Sequence, residues 1–82
     1  MLHIGLMWFD DTPKRSLSEK IRRAANQYES RHGRPPNICY LNDLSLTAPV
    51  MIEQPIRVVG VKDILPFHFW VGEADFEPSA EN

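Results

Sequence analysis

Four oxygen-bearing side chains fall where apolar runs end: Asp10 and Asp11 after Leu2 to Phe9, and Asn42 and Asp43 after Asn37 to Leu41. Such ligands suit Mg²⁺, and an ion held there would support phosphoryl chemistry or nucleotide binding. Lys14 and Arg15 follow in the same connection, and a helix beginning near Ser16 would present unpaired N–H groups to an anion. In open α/β sheets ligands bind outside the carboxyl ends of parallel strands, where these residues are expected. Against this, Asp10 and Asp11 point to opposite faces while the chain stays extended, so one ion cannot readily take both. There is also no glycine-rich phosphate loop. The plainer reading of "WFDDTPKRS" is a turn stabilised by an aspartate side chain, with Lys14 and Arg15 solvated.

A second chemistry would use the cations. Lys14, Arg15, Lys20, Arg22, Arg23 and Arg34 lie in a segment holding seven basic and two acidic residues, whereas Glu73 to Asn82 holds four acids and no base. Anion or nucleic-acid binding is the functional reading, helped by Phe67, Phe69 and Trp70, which could stack on bases. The cations spread around the helix, however, and Glu19 can pair with Arg23 at i,i+4 spacing, so a solvated face explains them as well. Cys39 and His68 are not brought together by any motif, and a lone strand cysteine is ordinarily a small core residue. Glu73, Asp75 and Asp63 loosely suggest a nuclease-like acidic group, but the lysine expected beside one is missing from "GEADF".

The elements that must position these residues are legible in the periodicity. Leu2, Ile4, Leu6 and Trp8 alternate on one face of a strand, with Met7 and Phe9 on the other. Ser16-Leu17-Ser18-Glu19 is a capping box. Leu17, Ile21, Ala24, Ala25 and Tyr28 form the apolar stripe of the helix that follows, and Gly33 with Pro35 and Pro36 ends it. Asn37 to Leu41 reads as a second strand, parallel to the first and joined to it by the helix. Residues 44–55 read as an ordered covering loop, and Ile56 to Val61 and Phe67 to Val71 as a β-hairpin around "KDILP".

The expected architecture is a two-layer α/β sandwich, β-α-β-β-β, with one helix on a four-stranded mixed sheet. Four strands spaced about 4.8 Å apart span roughly 14 Å, and a helix about 10–12 Å across cannot cover even one face fully. Both faces look apolar, so the loop, a second copy or another protein must shield the remainder. A homodimer is the expected partner arrangement, with Phe67, Phe69, Trp70 and Val71 as the contact surface.

With 82 residues, 43% hydrophobic and 24% charged, the chain reads as one globular domain over residues 1–75 and an acidic flexible tail over 76–82. The single cysteine excludes an internal disulfide and suits a reducing cytoplasm. The N-terminal apolar run lacks the flanks of a signal peptide or membrane span. "WFDDTPK", "HGRPPNICYLN" and "LPFHFW" together resemble a small bacterial family of uncharacterised proteins, over most of the chain up to Gly72. That resemblance implies no activity, cofactor or catalytic residue. The reading favoured is a non-enzymatic interaction or regulatory module that self-associates, with nucleic-acid binding and a Mg²⁺-dependent phosphoryl site as alternatives.

Overall fold

A computed structural model describes residues 2–47, 50, 52 and 55–74, with the backbone alone for 2–4. The chain runs β1 (Leu2–Phe9), α1 (Leu17–His32), β2 (Ile38–Asn42), a 3₁₀ turn (Asp43–Ser45), β3 (Arg57–Val61) and β4 (His68–Ala74). One helix packs on a four-stranded mixed sheet, as expected. The expected tail, residues 76–82, lies outside the described residues.

Local chemistry sets the helix limits. Ser16 Oγ accepts a hydrogen bond from the Glu19 N–H at 3.1 Å, while the Glu19 carboxylate turns to Arg23, 3.4 Å away. Gly33, at φ 77, takes the left-handed position that ends the helix and donates its N–H to Glu29 O.

The strand order β1-β4-β2-β3 corrects two expectations. β1 and β2 run in the same direction but are not neighbours, because β4 lies between them and is antiparallel to both. β3 and β4 form no hairpin: β3 pairs parallel to the outer side of β2, and residues 62–67 carry the chain across the end of β2. Asn42, the last residue of β2, holds that crossing by donating from Nδ2 to Ile64 O at 2.8 Å. The β4 sequence, apolar on both faces, suits a central strand covered above and flanked on both edges.

Alternation then assigns the faces. Leu6 and Trp8 of β1, Cys39 and Leu41 of β2, Val58 of β3, and Phe69 and Val71 of β4 pack with Ile21, Ala24 and Tyr28 of the helix. Leu46, Val50, Ile52 and Ile56, from the stretch between β2 and β3, join the same core and so lie on the helix side of the sheet. At Gly60 this stretch approaches so closely that a Cβ would stand 2.9 Å from Asp43 Cα. The helix and these four residues share one layer and supplement each other in covering that face. Among the described residues, no second layer covers the opposite face.

Candidate functional site

Asp10 ends β1 and is buried, its residue only 5% exposed. Its N–H donates to Phe67 O at 2.9 Å, tying the strand end to the turn before β4. Its carboxylate accepts from the Thr12 N–H at 3.0 Å and from Arg15 at 2.7 Å. Burial acts to raise the carboxyl, but the Thr12 N–H and the Arg15 guanidinium outweigh it and hold Asp10 at about 2. Within "WFDDTPKRS", then, one aspartate organises the turn and one arginine neutralises it.

The other candidates on that rim do not gather around Asp10. With β4 interposed, the axes of β1 and β2 lie about 10 Å apart. Asn42 is engaged with Ile64 O and, through Oδ1, with the Leu44 N–H that opens the 3₁₀ turn. Asp11 is exposed and Asp43 half-buried. Among the described residues no group of three or more His, Cys, Asp or Glu side chains is placed to hold a metal ion.

The cations are similarly dispersed. Arg15 is paired with Asp10, Arg23 with Glu19 and Arg34 with Glu73, while Lys14 is exposed and Arg22 half-buried. Lys20 departs from the polar side expected for it. It is 8% exposed, with Nζ 5.2 Å above the Phe67 ring centroid. Its spacing carried the signal, since it lies three residues after Leu17 and four before Ala24, inside the apolar stripe.

The predicted contact surface also divides. Phe69 and Val71 are 2% and 0% exposed in the core beneath the helix, so they cannot serve as an outer surface. They point opposite to Trp70, and a list running through consecutive strand residues necessarily mixes the faces. Phe67 is exposed in the turn. The residues actually accompanying Trp70 on the open face include Met7 and Phe9 from β1, Tyr40 from β2, and Val59 and Val61 from β3, as the pairings of Trp70 with Met7 and Tyr40 require. Met7 and Phe9 are 50% and 55% exposed. A shallow depression of about 290 Å³ lies between Tyr40, Trp70, Val61, Asp63 and Ile64.

Cys39 is wholly buried and its thiol is pushed up to about 12 by that burial. His68 lies on the opposite face, its Nδ1 2.9 Å from Pro66 O and its ring against Phe9. The two cannot act as nucleophile and base. Glu73 faces the helix and accepts from the Tyr28 hydroxyl at 2.6 Å, with Arg34 at 2.9 Å. Asp63 is set at the other end of the sheet, beyond Val61, and Asp75 lies outside the described residues.

No described helix is long and apolar enough to cross a membrane. Comparison of the chain with protein-family models, with curated proteins and with solved structures finds no match in any of the three, so its functional reading rests on its own geometry.

Proposed function

We propose that this protein is a non-enzymatic interaction or regulatory module that pairs with a second copy of itself through the open face of its sheet. The observation that carries this reading is the one-sided layering. The helix and Leu46, Val50, Ile52 and Ile56 occupy the same face, with Met7, Phe9, Tyr40, Trp70, Val59 and Val61 grouped on the other. Grouped apolar side chains are typical of a surface that another protein covers, and a two-fold arrangement lets the same patch serve both partners. The buried, unpaired Cys39 is compatible with a reducing compartment such as the cytoplasm. Light scattering at micromolar concentration tests the reading: the expected mass is that of two chains, and the mass of one chain throughout would overturn it.

One observation favours a second reading. Tyr40 and Trp70 are directly paired on adjacent strands of the open face, with Phe9 and His68 beside them, an arrangement on which the bases of a single-stranded nucleic acid could stack. This places binding on the sheet rather than on the helix cations. Quenching of tryptophan fluorescence by an oligonucleotide, weakening steeply with salt, would select it. Salt-insensitive fluorescence with a two-chain mass selects self-association.

A further inference from the structure

Between the first turn of α1, the 3₁₀ turn and the start of β4 lies a cleft of about 240 Å³, lined by Leu17, Lys20, Ser45, Phe67 and Phe69. It stands on the helix side of the sheet, away from the open face. Three of its described walls are apolar, Ser45 supplies a hydroxyl, and Lys20 supplies the only cation among the described lining residues. Lys20 is more than nine-tenths buried, and among the described residues its ammonium is accompanied by the Phe67 ring rather than by a carboxylate. The stem of Lys20 is buried while its ammonium keeps contact with solvent at the cleft, where an anion could reach it.

The turn that supplies Phe67 points the same way. Leu65, Pro66, Phe67 and His68 form a turn closed by the His68 N–H donating to Leu65 O. Phe67 has φ 67, a position where glycine is ordinarily favoured. The strained backbone is held by the Asp10 N–H on Phe67 O, and it sets the aromatic ring against the Lys20 ammonium. A glycine would relieve the strain but remove this wall, so an aromatic residue here makes sense if the cleft is used.

We propose that this cleft binds a small organic carboxylate with an apolar body. Lys20 pairs with the carboxylate, Ser45 donates a hydrogen bond to it, and Leu17, Phe67 and Phe69 pack against the apolar portion. The positive end of the helix dipole, at Leu17, adds to the field. A multiply charged phosphate suits the site less well, because one cation and three apolar walls match a singly charged amphipathic ligand.

Benzoate is a suitable probe, titrated into the full-length protein and followed by nitrogen-proton correlation spectra. Saturable shifts are expected at the amides of Leu17, Lys20, Ser45 and Phe67. Uncharged benzamide should bind about tenfold or more weakly, as should the Lys20→Met protein, since each loses a charge-assisted hydrogen bond. Phe67→Gly provides a second test should Lys20→Met fail to fold: it relieves the turn and should retain the fold while weakening benzoate. Absence of shifts, equal binding of benzamide, or an undiminished benzoate affinity in either folded variant overturns the proposal. Inorganic phosphate binding as tightly as benzoate would overturn the assignment of an apolar body.

Discussion

Tyr28 and Glu73, 45 residues apart in sequence, meet through a 2.6 Å hydrogen bond from the tyrosine hydroxyl to the carboxylate. Arg34, just beyond the end of the helix, holds the second carboxylate oxygen at 2.9 Å, and the His32 ring packs at a tilt against the Tyr28 ring. This polar clamp fastens the second half of α1 to β4. Asp10 and Arg15 secure the connection at the other end of the helix, so the helix is located on the sheet by polar contacts as well as by its buried stripe.

Removing the Tyr28 hydroxyl therefore tests the clamp. Bonds to charged acceptors contribute about 1.5–3 kcal/mol, and Arg34 remains on Glu73, so Tyr28→Phe should cost about 1–2 kcal/mol in urea denaturation. Burial first, and the Glu73 carboxylate second, raise the Tyr28 hydroxyl from 10.0 to about 12. A raised folded value means a contribution fully present below pH 10 and lost as pH climbs towards 12. Wild-type stability should fall over that interval, and Tyr28→Phe should remove this part of the decline.

Asp10 gives the opposite pH signature. Its carboxyl is lowered from 3.8 to about 2, so its contribution is present above pH 3.8 and is lost as pH falls towards 2. Asp10→Asn keeps an acceptor for the Thr12 N–H but removes the charge opposite Arg15. A loss of about 1–2 kcal/mol at neutral pH is expected, together with a shallower acid decline in denaturant midpoints. Some slope should survive, because Glu73 is also lowered, chiefly by the Tyr28 hydroxyl and then by Arg34.

Gly5 tests how the open face is arranged. A Cβ added there would run into the six-membered ring of the Trp70 indole, which lies across β1 where a side chain would otherwise stand. Gly5→Ala must displace that ring or the strand, at a cost of about 1–3 kcal/mol. Tryptophan fluorescence should change with it. Unchanged stability and fluorescence would mean that the indole does not rest on Gly5 in solution.

Phe9→Glu tests the proposed self-association without entering the core, since Phe9 is 55% exposed. A charge placed within the proposed apolar contact should weaken the dimer by about 2 kcal/mol or more. Sedimentation equilibrium should then show dissociation, with circular dichroism unchanged. Retention of the same assembly in the variant would exclude the Phe9 region from the contact.

The sequence by itself determined the elements whose causes are local. Ser16 and Glu19 start the helix, Gly33 stops it, and the alternation from Leu6 to Phe9 marks a strand, because capping and side-chain period act over a few residues. Lys20 was equally legible in its i+3 and i+4 spacing, but its charge argued for the wrong side of the helix. Tertiary structure alone decided that β4 enters between β1 and β2. That pairing joins segments some 65 residues apart, such as Leu6 with Val71, and its selection depends on how two apolar faces are buried at once. From this one insertion follow the separation of Asp10 from Asn42, the adjacency of Tyr40 and Trp70, and the meeting of Tyr28 with Glu73. Local propensity specifies which residues are extended, but only packing specifies which extended neighbour each one finds.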